Sequence, residues 1–245
     1  MRFVDSHLHI DPAESSAFLS LAEATETLLL TCGVDRNTSN DALRLANSSR
    51  GMVRAFVGVH PSEAARETSL TWLRSALGRA SGAGEIGLDP KYSPLEDGGA
   101  QMKAFVKQLE AAQAAGKPVQ VHSRDAEIEC IDTLGGFRLR GVLLHWFQGE
   151  GEVRRAQDSG YYVSFGPSLL YSKKLQRVAV QCSRALVLTE TDSPVPYGPL
   201  GGVHGPIMVP SVVNRLSELW GASFEEARAS IFGNAMRFLG LSEKG

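Results

Sequence analysis

Short β-branched and aliphatic runs alternate with longer segments of helical periodicity along almost the whole chain. The apolar runs cover residues 3–5, 28–32, 53–59, 83–87, 119–122, 142–145, 161–165 and 186–189. Between them lie 16–25, 38–47, 69–79, 100–115, 124–134, 152–159 and 172–182, which predict helices. Strands that are apolar throughout belong to a parallel sheet covered by helices, and eight repeats of the unit predict closure into an α/β barrel of the (β/α)8 type. A doubly wound open sheet is the competing architecture. It would carry a Gly-rich phosphate loop after the first strand, and DSHLHIDP is nothing like one.

Local punctuation agrees with this plan. AAQAAGKPV ends a helix with Gly116 and Pro118 before the next strand, and SFEEA sets Ser223 three residues ahead of Glu226 as a capping box. Two stretches break the rhythm: LDPKYSPLEDGGA after the fourth strand and SPVPYGPLGGVHGPIMVP after the eighth, both read as long loops. In a barrel they would hang over the C-terminal face of the strands, where such folds carry their chemistry. No linker divides the chain, so one domain is expected over 1–245.

Against that frame the polar residues fall in a pattern. None of the six histidines lies in a predicted helix, and His7, His9, His60, His122 and His145 sit at or just beyond the ends of apolar runs. Glu85 and Asp192 occupy equivalent positions, and Asp5 precedes the first histidine pair. His7 and His9 are two apart, so on a strand they face one way and could chelate one metal. Alone, that pair could equally be polar residues at a strand end. With acids and imidazoles delivered by strand ends along the whole chain, a metal site at the C-terminal face of the barrel is the stronger reading.

Composition narrows the field. With 43% hydrophobic and 21% charged residues in 245, the chain can bury a large core. A formal net charge of −2 gives no general basic field, which disfavours non-specific coating of nucleic acid. Cys32, Cys130 and Cys182 are too few and too scattered for a disulfide framework or a Cys-x-x-Cys zinc site. An acid and two histidines stand where a signal peptide would need an apolar stretch, and no run approaches transmembrane length. A cytoplasmic protein with no membrane association is expected.

The strings DSHLHID, VGVHPSE, GEIGLD, PVQVHSRDA, LLHWFQG, LTETDSP and GNAMRFLGL, in that order, resemble the TatD family of metal-dependent hydrolases, a branch of the amidohydrolase-like barrels. HxH by itself is common; GEIGLD, HSRDA and ETDSP together are specific, and the resemblance spans essentially the whole chain. It implies two divalent metal ions, with His7, His9 and Asp192 on one, His122 and His145 on the other, and Glu85 bridging them. Imidazole-rich ligation suits Zn, Mn or Ni, and phosphate chemistry often uses Mg. Asp192 doubles as the general base, while His60 is a substrate-phosphate contact or leaving-group acid rather than a ligand. Arg124 either binds phosphate or begins a solvated helix.

The chain departs from the family at its rim. Pro90 and Lys91 precede Tyr92 where an aromatic pair is frequent, and Trp146 and Gln148 replace smaller residues in HWFQG. Trp146 could stack on a base or pack under the rim, and His204 reads as a loop residue. The family implies a deoxyribonuclease, a 3′–5′ exonuclease on single-stranded DNA; on this chain's own residues, Arg124, Lys91 and Trp146 are the expected contacts to the nucleic acid substrate. Hydrolysis of a carboxyl ester such as that of an aminoacyl-tRNA is the alternative within the class. Outside it stands a catalytically silent metal-binding partner in a nucleic-acid-processing complex.

Overall fold

Eight parallel strands run in sequence order: β1 (Phe3–Leu8), β2 (Thr27–Cys32), β3 (Val53–Val57), β4 (Gly82–Gly87), β5 (Val119–His122), β6 (Val142–Leu144), β7 (Tyr162–Phe165) and β8 (Val187–Thr189). The computed structural model describes residues 2–95 and 99–241. Residues 96–98 of the loop after β4, and the ends of the expected 1–245 domain, lie outside the described residues. Neighbouring strands pair β1 to β8 without a break in order. The seam between β8 and β1 is stitched just past the strand ends, where Asp192 N–H donates to His7 O at 2.9 Å and His9 N–H to Ser193 O at 2.7 Å. Lower down, Thr189 Oγ1 donates to Val4 O at 2.7 Å. The result is a nearly closed TIM-type barrel.

The two-residue period of a strand sorts the side chains. On β5, Val119 and Val121 join the apolar layer under the helices, whereas Gln120 and His122 turn toward the barrel axis and meet side chains from β1 and β4. That layer is filled by helices following the strands: α1 (Ser15–Ala24), α2 (Arg36–Ser48), α3 (Leu73–Arg79), α4 (Ala100–Ala114), α5 (Glu127–Leu134), α6 (Val153–Asp158), α7 (Lys173–Gln181), α8 (Val209–Trp220) and α9 (Phe224–Leu239). Asp35 with Thr38 and Ser223 with Glu226 form capping boxes for α2 and α9. Gly116, at φ +61°, takes the left-handed turn that ends α4.

Three expectations need correcting. Residues 69–72 and 124–126 are not helical, since α3 starts at Leu73 and α5 at Glu127. The second long loop stops at Met208 instead of running through Pro210, because VPSVVNRLSELW buries Val209, Val212, Val213, Leu216 and Trp220 on one face as α8, with Pro210 in its first turn. Cys32, Cys130 and Cys182 are free and buried. Among the described residues, no helix is long and apolar enough to cross a membrane.

Candidate metal centre

At the C-terminal ends of β1, β4, β5, β6 and β8, His7, His9, Glu85, His122, His145 and Asp192 converge. Three groups drawn from this set and its neighbour His60 are compact enough to hold an ion: His7, His9 and Asp192; His7, Glu85 and His145; and His60, Glu85 and His122. Glu85 is the hinge between them. Its Oε1 lies 2.7 Å from His122 Nδ1 and 2.8 Å from His145 Nε2. Its Oε2 faces the other side, 3.3 Å from His9 Nε2 and 3.7 Å from His7 Nε2. Asp192 Oδ1 is 3.6 Å from both of those nitrogens.

The backs of the imidazoles decide which nitrogen carries the proton. His7 Nδ1 meets the carbonyl of Gln120 at 2.7 Å, and His9 Nδ1 meets the main-chain carbonyl of Cys32 at 2.9 Å. Both carbonyls accept only, so each Nδ1 donates and each neutral ring turns the Nε2 lone pair toward Glu85 and Asp192. His7 Nε2 is buried with no hydrogen-bond partner. At fully buried His7 a lone pair facing carboxylate oxygens leaves acceptor opposite acceptor, an arrangement that a cation between them resolves. The donor set therefore fits divalent metal.

The electrostatics agree. Burial works against the charged form of every group here. At Glu85 the surrounding imidazoles, led by His60 and His145, outweigh burial and hold the carboxyl well below the usual carboxylate range. At His145 burial is again overcome, by Glu85 and Glu190, which draw positive charge onto the ring. Asp192 goes the other way: burial pushes its carboxyl up, and His145, His7 and His9 only partly offset this.

His60 ends the loop after β3 with Nε2 3.5 Å from Glu85 Oε1. Burial drives its pKa down to about 4, so the ring is neutral near pH 7. Ser62 N–H donates to its Nδ1 at 3.2 Å, which puts the proton on Nε2. Such a ring donates toward the centre and is poorly suited to ligate. It equally lacks the spare proton of a leaving-group acid.

His9, His60, Glu85, His122, His145 and Asp192 form the floor of a cavity of about 600 Å³. Lys91, Arg124 and Trp146 all line it, together with Tyr92 and Lys174. Lys91 is exposed and lies 3.5 Å from Asp125. Arg124 sits in the turn before α5, bonded to Asp89 at 2.6 Å with its guanidinium 5.3 Å from the centre of the Tyr92 ring. Trp146 has φ +42°, a left-handed backbone unusual for a bulky residue, and its ring is 5.9 Å from Tyr197. Tyr197 is buried and donates to Thr191 O at 2.7 Å. His204 stands apart beside Phe18. Asp5 is no part of the cluster: it accepts from Thr191 N–H at 2.8 Å and Thr191 Oγ1 at 2.6 Å, tying β1 to the loop after β8.

Three supporting residues escaped the sequence reading. Gln120 stands behind His7, Asp89 behind His122, and Glu190 behind His145, with Glu190 Oε2 3.7 Å from His145 Nδ1 and accepting from Ser164 at 2.6 Å. Their signal is polarity on an inward strand position: Gln120 interrupts PVQVHS at the phase of His122, and Glu190 lies in LTETDSP at the phase of Asp192. Asp89, in the loop, carries no such periodic mark.

A family described as TatD related DNase matches residues 4–240. Among curated proteins, the metal-dependent hydrolase YabD of Bacillus subtilis is 28% identical, over 97% of this chain and 99% of its own. Human deoxyribonuclease TATDN3 is 27% identical, over 96% and 93%. Among solved structures, the TatD homologue YJJV of Escherichia coli superposes with a TM-score of 0.86 at 25% identity, over 98% of this chain and 99% of that one. A TatD family hydrolase of Entamoeba histolytica shares the fold, with a TM-score of 0.82 at 17% identity over 97% and 98%.

Proposed function

The chain belongs to the TatD-related family of metal-dependent hydrolases, and from that premise we propose that it cuts phosphodiester bonds with two divalent metal ions, removing nucleotides from the 3′ end of single-stranded DNA. The observation that carries this reading is the division of Glu85, one oxygen toward His7 and His9 and the other toward His122 and His145. His7, His9 and Asp192 would hold one ion, His122 and His145 the other, with Glu85 shared. Bound Mg, Mn or Zn would supply a polarised phosphoryl oxygen and an activated water at neutral pH.

The chain's own groups perform the remaining tasks. Asp192 accepts a proton from the attacking water, as a carboxylate beside the reacting centre can. The water oxygen bonds to phosphorus and the bond from phosphorus to the 3′ oxygen of the preceding nucleotide breaks. That oxygen takes up a proton from solvent water and Asp192 returns its own to solvent, leaving a 5′-nucleotide and a shortened strand. His60 donates its Nε2 hydrogen to a phosphoryl oxygen, and Lys91 and Arg124 meet the flanking phosphates from the wall. Trp146 offers a face for base stacking.

A cavity of about 600 Å³ is of the size that encloses a small ligand, so it suits one strand terminus. The net charge of −2 supplies no long cationic groove for a duplex. The naming of the human relative as a deoxyribonuclease supports the same substrate.

Labelled single strands, a strand blocked at its 3′ terminus, a closed single-stranded circle, RNA and aminoacyl-tRNA should be offered in parallel to metal-loaded enzyme. The free 3′ end should be degraded while blocked strand and circle survive; cutting of circles means endonuclease action, and turnover of aminoacyl-tRNA alone means a carboxyl-ester hydrolase. Trp146→Ala should weaken binding of a short single-stranded oligonucleotide about tenfold, since a stacked base contributes roughly 1–3 kcal/mol. Lys91→Ala should instead lower the salt dependence of binding by about one phosphate contact. Wild-type affinity in both mutants at every salt concentration would reduce these residues to rim packing.

A further inference from the structure

We infer that Asp89 is a positioning residue that fixes two groups at once: the imidazole of His122 toward the metal, and the guanidinium of Arg124 toward a substrate phosphate. The Arg124 half rests on the phosphodiester reading above; the His122 half does not. Asp89 lies two residues past β4 and is fully buried. Its Oδ2 accepts from His122 Nε2 at 2.8 Å and from Arg124 Nη2 at 2.6 Å, while Oδ1 accepts from the Lys91 N–H at 2.8 Å. The backbone on either side of the carboxylate is clamped by one buried side chain of α4: Asp89 N–H donates to Gln101 Oε1 at 2.7 Å, and Gln101 Nε2 donates to Asp89 O at 2.9 Å. The carboxylate cannot turn without losing several of these bonds together.

For His122 the consequence is a fixed tautomer. An acceptor at Nε2 keeps the proton there and leaves the Nδ1 lone pair toward Glu85, 2.7 Å away. Gln120 and the Cys32 carbonyl act on His7 and His9 in the same way, but behind His122 the hydrogen-bonded partner is a carboxylate, 2.8 Å away, which also makes the ring a more basic ligand. For Arg124 the consequence is order. One donor is held by Asp89 and the plane rests by Tyr92, so less side-chain freedom remains to be lost when a phosphate binds the other donors. Asparagine cannot replace this carboxylate. Three donors converge on its two oxygens, and either orientation of an amide would set its NH₂ against at least one of them.

The test uses the full-length protein stripped of metal, titrated with Mn²⁺ by calorimetry, and a short single-stranded oligodeoxynucleotide in Ca²⁺ as the phosphate probe. Asp89→Asn should weaken Mn²⁺ binding by about 10- to 100-fold, whereas Arg124→Gln should leave it unchanged. Arg124→Gln should weaken oligonucleotide binding in wild type and by much less in the Asp89→Asn background, because the two residues act as one unit. Unaltered Mn²⁺ affinity in Asp89→Asn, or strictly additive losses in the double variant, would overturn the proposal. If Asp89→Asn fails to fold, nitrogen NMR of the Zn²⁺-loaded wild type still decides: a solvent-protected proton on His122 Nε2 supports the assignment, and a proton on Nδ1 overturns it. If wild type takes up Mn²⁺ as expected but Arg124→Gln has no effect because the oligonucleotide does not bind at all, the phosphodiester reading fails and the His122 half stands.

Discussion

Glu85→Ala is expected to strip the protein of metal and abolish hydrolysis, a larger loss than any single histidine substitution produces. Glu85 belongs to two of the three ion-sized groups, and its two oxygens face opposite sides of the centre. On the proposed two-ion reading, removing it takes a ligand from both ions and the negative charge that offsets their mutual repulsion. Loss of a supporting residue alone lowers metal affinity by about 10- to 100-fold, and loss of a shared ligand should exceed that. His60→Ala is the control, since its proton-bearing Nε2 makes it a donor: metal content should stay near wild type while turnover falls. Elemental analysis of both variants after equilibration with Mn²⁺ decides the matter. Equal metal loss would make His60 a ligand, and full activity after exhaustive chelation would remove metal from the mechanism altogether.

The barrel was legible because its strands are short, largely apolar runs that stand out from the longer segments of helical period at each crossover. The six proposed ligands were legible because charged or imidazole side chains recur where apolar runs close, and because the strings that hold them resemble those of the TatD family. What stayed hidden is what depends on the third dimension. Gln120 and Glu190 look like incidental polar residues until the barrel closes and sets them behind His7 and His145. Asp89 sits in a string that drew notice, yet its work depends on His122, 33 residues on, folding back within 2.8 Å. Asp5 misled in the opposite direction, because a buried acid that satisfies a backbone N–H and a hydroxyl has the same sequence signature as a ligand.

The start of α8 was obscured by proline and glycine. Those residues dominate the stretch from Ser193 to Pro210 and read as continuous loop, but Pro210 lacks only an N–H that the first turn of a helix does not use. The apolar spacing of Val209, Val212, Val213, Leu216 and Trp220 was the stronger signal. The loop before it does carry function-bearing geometry: Val195 lines the cavity, and Tyr197 anchors the turn after Asp192 through Thr191 O.

Asp192→Asn should lower turnover by about 10²- to 10⁴-fold, the range associated with loss of a positioned acid or base, while the protein keeps much of its metal. The amide has nearly the same size and retains one oxygen toward His7 and His9, so ligation is weakened and not deleted. What it removes is the capacity to take a proton. The φ of +46° at Asp192 costs little, because Asp and Asn both tolerate the left-handed region, so the substitution should not disturb the loop. Single-turnover rates and metal content measured on the same preparation separate the two roles. A rate deficit that disappears when Mn²⁺ is raised to saturation would make Asp192 a ligand only, and near-normal turnover at ordinary metal concentration would remove it from both roles.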